Sequence, residues 1–600
     1  MTEPTPPRWD LTNVYPSLEA PALNADLETL RAMINTLESF LAALPAQPDT
    51  EEEALLAEKL SALIEETNAL LELSGKVRAY IYSFVSTDSY NNAALRLLSE
   101  FEQVGMRIEQ QLTFAQSWVG KLSRRLDAVI ARGGLPASHA FFLRETAEQS
   151  KYLMTPELEA LASELNLSGG NAWSKLQGQT TSQMTVDFEL DGEVRTLPMP
   201  ALINLHSHPD EEVRRRAYEA ELKAWKTVEG TLCAAMNGVK GEAITLNRRR
   251  GRSDALHAPI DDARIDRQTL EAMLGAMQDS FPMFRRYFKA KAARLGKESL
   301  PWWDVFAPSG KTDAHYTFPQ ARAFIVDNFA NFSPDLAAFA DQAFENRWID
   351  AEQRPGKRGG AFCMSVPVVN ESRVLCNFDG TLDQVSTIAH ELGHAFHNDC
   401  MFKAGKTALQ RNTPMTLAET ASIMCETIAF EAVVAQAKNP QEELAILETS
   451  LVGDAQVIVD IYSRYLFEKE VFEKREKAEL NPAELCDIMS RAQQATYGDG
   501  LDENYLHPYM WTWKPHYYSA GLSFYNFPYA FGLLFGIGLY AIYQQRGSAF
   551  VPDYKNLLAF TGEGTAADLA MRFGIDIRSR AFWEGSLQVI GKRIDRYVRL

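Results

Sequence analysis

The stretch from Pro515 to Gln545 contains no Asp, Glu, Lys or Arg, and Phe527 to Tyr543 (FPYAFGLLFGIGLYAIY) approaches the length of a membrane span. Such a segment must be kept from water, either by a bilayer or by a core deep enough to surround a helix. The Pro, Gly and Tyr residues inside it, His516 and Asn526 close upstream, and the lack of a second such run favour the core. The chain has material for one, since its 600 residues are 46% apolar and 10% aromatic. That is more than one ordinary domain, and two lobes are expected. No membrane partner is expected.

The formal net charge of −19 argues against a nucleic-acid partner, because the protein's own field repels a phosphate backbone. Met1 to Asp10 shows no basic segment followed by an apolar run, so no secretory signal is visible. The six cysteines (Cys233, Cys363, Cys376, Cys400, Cys425, Cys486) are scattered without a Cys-x-x-Cys pair and read as reduced thiols. A cytoplasmic location is expected.

Periodicity makes the chain mainly α. From about residue 20 to 165 apolar positions recur at helical spacing, as in Leu55, Leu60, Leu63 and Ile64. Thr185 to Leu197 instead alternates around Asp191-Gly192, a hairpin signal. The chain is therefore divided into an N-terminal helical lobe over 1–180, a hairpin and boundary over 181–205, and a catalytic region over 206–600. Within the last, Ala361 to Phe378 reads as a short β segment. Arg248 to Arg252 (RRRGR) reads as a solvated loop, and His206 and His208 as surface or capping histidines.

The chemistry is concentrated in Thr381 to Cys400 (TLDQVSTIAHELGHAFHNDC). On a helical wheel Val385, Ile388, Ala389, Leu392, Ala395 and Phe396 gather on one side, while His390, His394 and His397 fall within about 60° on the other. His-Glu-x-x-His sets two imidazoles one turn apart, where both can reach one zinc, with Glu391 beside the metal's open position. His397 lies about 10.5 Å along the axis from His390, too far to join both as a ligand. It is assigned to the surroundings of the metal or to the substrate side. The positions three and six residues after His394 hold His397 and Cys400 rather than the Gly and His of a metzincin. A third ligand must come from another segment. The next helix, expected over Thr416 to Val434, carries Glu419, Ser422 and Glu426 on one face. Periodicity does not choose between the two carboxylates, and Cys425 turns away into packing.

These residues bear a resemblance. The block from Gly359 (GGAFC) through Asn377-Phe378, Asp383 and His390-Glu-Leu-Gly-His394 to Glu419 (AETASIMCE) resembles the thimet oligopeptidase and oligoendopeptidase F family of zinc metallopeptidases. The opening Trp9-Asp-Leu-Thr-Asn-Val-Tyr-Pro resembles its oligoendopeptidase F branch. The resemblance implies one zinc per chain, held by His390, His394 and Glu419, with Glu426 matching a second acidic position of the ligand helix. His516, Tyr525 and Tyr529, in PHYYSAGLSFYNFPYAFG, are similar to the His/Tyr segment that lines the family's active site. The tyrosine spacing varies within the family, so the working hydroxyl is Tyr525 or Tyr529. The implied fold is a two-lobed helical metallopeptidase with a deep central channel and a small β element near the zinc.

The implied function is a zinc-dependent endopeptidase that hydrolyses short unstructured oligopeptides by a metal-activated water, with Glu391 as general base. Tyr525, Tyr529 and His516 are donors for the oxyanion, and Glu426 orients a ligand histidine. The Ala361 to Phe378 segment is a candidate to bind substrate backbone as an added strand, or simply a supporting hairpin. Two alternatives differ in testable ways. A zinc exopeptidase of carboxypeptidase type leaves a peptide blocked at both ends uncut, and a non-catalytic peptide-binding protein holds zinc without turnover.

Overall fold

The computed structural model describes residues 5–122, 124–310 and 315–600. Helices predominate, and two small sheets hold the named strands among the described residues. In chain order the principal elements are α1 (Pro21–Ala42), α2 (Glu53–Thr87), α3 (Asn92–Lys121), β1 (Thr185–Leu190), β2 (Glu193–Pro198), α4 (Glu211–Arg249), β3 (Ile349–Asp350), β4 (Phe362–Val366) and β5 (Glu371–Leu375). They continue as α5 (Leu382–Lys403), α6 (Met415–Ala418), α7 (Thr420–Gln436), α8 (Ile461–Arg475), α9 (Phe527–Arg546) and α10 (Arg580–Arg599).

The chain forms two compact units. One comprises Met1–Leu153, Ala314–Ala432 and Ile542–Gly574, and the other Met154–Asp313, Val433–Ala541 and Ile575–Leu600. The units interleave in sequence, and the β1–β2 hairpin lies inside the second.

In the first unit the helical periodicity is realised directly. Leu23, Leu27, Leu30, Ile34 and Leu37 form a buried stripe on α1, and Leu56, Leu60, Leu63 and Ile64 one on α2. Each such side chain stabilises the fold by roughly 1.5–3 kcal/mol on burial. The same apolar cluster takes in Val366 and Leu375, so the sheet that precedes α5 rests on the N-terminal helices. Its strand order is β3-β5-β4, with β3 parallel and β4 antiparallel to β5. The buried β5 is central, and β4 is an edge.

In the second unit most of the uncharged run belongs to α9, and the apolar side chains there are packed inside. Its residues Phe527, Phe531, Leu534, Phe535 and Leu539 are all fully buried. Phe531 meets Trp583 of α10 at a centroid distance of 5.1 Å, and Phe535 meets Phe582 at 5.8 Å. The hairpin turns at Asp191 and Gly192, both left-handed (φ 56° and 80°), the geometry that a two-residue turn between twisted strands requires.

Two expectations need correction here. His206 is buried rather than at the surface, with Nε2 3.1 Å from Glu221 Oε2. His507 Nε2 lies 2.9 Å from Glu221 Oε1, and Trp225 Nε1 donates to that same oxygen. Burial pushes the Glu221 carboxyl up, but His507 and His206 outweigh it and hold the group well below the usual range. His208 does act near a helix start, its Nδ1 accepting from Asp210 N at 3.0 Å. The arginine run is not simply a solvated loop. Arg248 and Arg249 finish α4, Arg250 pairs with Glu159 at 2.7 Å, and Arg252 pairs with Asp261.

Candidate metal centre

α5 begins where Thr381 caps it, the hydroxyl accepting from Gln384 N. Its apolar back, Val385, Ile388, Ala389, Leu392, Ala395 and Phe396, is buried as the wheel predicts. With that face pinned, His390 and His394 project from the other, their ring centroids 5.0 Å apart. The helix expected over Thr416 to Val434 is broken. α6 ends at Ala418, Glu419 sits in the break, and α7 starts at Thr420. Glu419 is thus released from the helical face assigned to it, while Glu426 stays within α7.

The break carries Glu419 to both histidines. Its Oε2 lies 3.3 Å from His390 Nε2 and 3.4 Å from His394 Nε2. Two ligand atoms on a tetrahedral zinc at about 2.1 Å lie about 3.4 Å apart. These three residues are the one group among the described residues whose donor atoms gather closely enough to hold a metal ion. Ser422 Oγ donates to Glu419 Oε2 at 2.6 Å, which fixes the carboxylate. Glu426 Oε2 accepts from His390 Nδ1 at 2.9 Å, which leaves Nε2 with its lone pair toward the shared point.

The charges fit a cation. Burial favours neutral His390, yet its hydrogen bonds to Glu419 and Glu426 prevail and raise its pKa. Against the same burial, His390 and His394 hold the Glu419 carboxyl far below its usual range. A divalent cation held by these three donors would offset the charge of the Glu419 carboxylate.

Glu391 points into the same space. It is 6% exposed, and its Oε2 has no hydrogen-bond partner among the described residues. Burial raises its pKa, the shift a base working near neutrality needs. His397 is also buried and also on the cavity wall, with Nε2 2.7 Å from Thr561 Oγ1. Burial, then the neighbouring His394, lowers its pKa to about 4. A cavity of about 620 Å³ opens here, walled by β4 residues Phe362, Cys363 and Ser365 and by Arg411.

The second unit gathers the other expected residues. His516 lies 5.4 Å from Tyr525 and 6.3 Å from Tyr529 between ring centroids, and the tyrosines are 5.4 Å apart. Burial, then the charges of Arg464 and Lys514, lowers the pKa of His516, so its imidazole is neutral at neutral pH.

The supporting hydrogen bonds of Ser422 and Thr561 escaped the sequence reading. Ser422 carried a signal, its place beside Glu419, but Thr561 carried none because 164 positions separate it from His397. None of the six cysteines is disulfide-bonded.

The model of Peptidase family M3 matches residues 204–589, and that of Oligopeptidase F residues 124–185. The chain is 21% identical to Oligopeptidase PepF of Bacillus subtilis over 99% of this chain and 87% of that one. It is 23% identical to Group B oligopeptidase PepB of Streptococcus agalactiae over 98% and 96%. A solved structure from Chlamydophila abortus superposes with a TM-score of 0.81 at 19% identity, covering 98% of each chain. Oligoendopeptidase-F from Enterococcus faecium gives 0.69 at 16%, covering 96% of this chain and 98% of that one.

Proposed function

The chain belongs to peptidase family M3, and on that premise we propose that it is a zinc endopeptidase that cleaves short, unstructured oligopeptides at internal bonds. The observation that carries this reading is the convergence of His390 Nε2, His394 Nε2 and Glu419 Oε2 beside a buried Glu391 with an unpartnered oxygen. The relatives named for oligopeptide cleavage support the substrate class.

His390, His394 and Glu419 would hold the ion, and Glu426 keeps His390 in the tautomer whose Nε2 is free to coordinate. When bound, zinc supplies a Lewis acid for a water and for the scissile carbonyl. Glu391 takes the proton from the attacking water and passes it to the leaving amine, a role its raised pKa suits. Substrate backbone adds to the outer edge of β4, whose residues wall the cavity. The hydroxyls of Tyr525 and Tyr529, with neutral His516, donate to the oxyanion as it forms.

Glu391→Gln tests the central role. The change removes a base but no ligand, so zinc content should stay at the wild-type level while kcat falls by about 10²-fold or more. Wild-type kcat in this variant would place the base elsewhere.

A further inference from the structure

The tyrosine pair is held by a buried polar anchor behind it. Asn526 lies between Tyr525 and Phe527 in an otherwise aromatic segment and is 3% exposed. Its Nδ2 donates to Glu468 Oε2 on α8 at 3.1 Å, and its Oδ1 accepts from Phe527 N at 2.7 Å. Its backbone also closes the turn on both sides, with Asn526 N donating to Phe524 O and Tyr529 N donating to Asn526 O. One side chain therefore reaches α8, and one residue is bonded on each side of Tyr525.

Glu468 is itself fixed. Its Oε1 accepts from Lys240 Nζ on α4 at 2.6 Å, and both side chains are excluded from water, 2% and 1% exposed. Lys240 Nζ also lies 4.6 Å from the centroid of the Phe472 ring. Phe472 stacks with Phe524 at 5.6 Å and 17°. Phe524 is a buried non-glycine residue at φ 52°, a conformation that survives only where the surroundings impose it. α8 thus grips the turn on either side of Tyr525, by stacking at Phe524 and by a hydrogen bond at Asn526, and Lys240 of α4 backs both contacts from behind. A buried ion pair is a weak source of stability but a strict one of geometry, because each group must meet its partner.

We infer that Asn526, clamped by the Lys240–Glu468 pair, is a positioning residue that sets the Tyr525 and Tyr529 hydroxyls for oxyanion donation. This rests on the reading of those tyrosines given above. A donor displaced by a fraction of an ångström loses most of its value in the transition state but little in substrate binding.

The test is a double-mutant cycle on hydrolysis of a short peptide, with zinc content and thermal midpoint measured on each preparation. Asn526→Ala should lower kcat about tenfold or more, with KM within about twofold and zinc content unchanged. In the background of Tyr525→Phe with Tyr529→Phe, the same change should cost less than about twofold further, since there is no hydroxyl left to position. N526D sets two carboxylates against each other and should behave like Asn526→Ala. The exchange pair N526D with E468Q restores the hydrogen bond with donor and acceptor reversed and should recover most of the lost kcat. It also decides the matter if Asn526→Ala is recovered unfolded.

Wild-type kcat in Asn526→Ala, an undiminished further loss in the tyrosine-free background, or no recovery in the exchange pair would overturn the inference. Wild-type kcat in the double tyrosine variant alone would instead overturn the oxyanion reading, and the positioning role with it.

Discussion

Glu419 and Glu426 are seven residues apart, and both touch His390, on opposite nitrogens. A carboxylate beside Nε2 can share a metal ion with that nitrogen, whereas one on Nδ1 acts through the ring. Glu426→Ala should therefore weaken zinc binding by about 10- to 100-fold, and Glu419→Ala, which removes the proposed third ligand, by considerably more. Competition against a chelator of known affinity measures both, and the reverse ranking would exchange the roles. His390, Glu391 and His394 were legible in the sequence because His-Glu-x-x-His is local and one helix carries it all. The choice between Glu419 and Glu426 was not legible from periodicity, which put both on one face. The break at Glu419 separates them, and no helical wheel represents it. Asn526 was a signal of another kind, since an amide inside an aromatic, uncharged run must find a buried partner. The identity of that partner, Glu468, is not encoded nearby.

At the scale of elements, the site depends on how closely α5 and α7 approach. A Cβ on Gly393 would fall 2.5 Å from Ala421 O and 2.6 Å from Ser422 Cα, both backbone atoms of α7. The glycine between Leu392 and His394 is what lets α7 come near enough for Glu419 to reach both histidines. Gly393→Ala should cost about 1–3 kcal/mol as overpacking, lower the thermal midpoint of the metal-free protein, and weaken zinc binding. Both quantities unchanged would mean that the helix spacing is not what sets Glu419. The elements themselves were largely readable. The hairpin formed around Asp191-Gly192, the β segment before α5 became β4 and β5, and the uncharged run became the core helix α9. His206 was misread because its partner Glu221 lies on α4, and the other histidine that Glu221 holds, His507, lies nearly 300 positions further along the chain. Burial of a polar side chain is set by such distant pairing.

At the scale of the whole molecule, a mainly α chain follows from the 3.6-residue period that dominates its first 165 residues and much of the remainder. The composition of each unit from three separate segments does not follow, because periodicity reports contacts within a turn or two and not between distant stretches. The proposed enzyme cuts internal peptide bonds with a metal held by His390, His394 and Glu419. The most direct measurement is mass spectrometry of a short peptide, acetylated at one end and amidated at the other, digested by protein as purified, stripped of metal, and reloaded with zinc. The expected result is internal cuts by the purified protein, none after stripping, and cuts at the same bonds after zinc is returned. Undiminished internal cleavage by the stripped protein would contradict the metal's role, and an uncut blocked peptide beside a trimmed free one would contradict the endopeptidase claim.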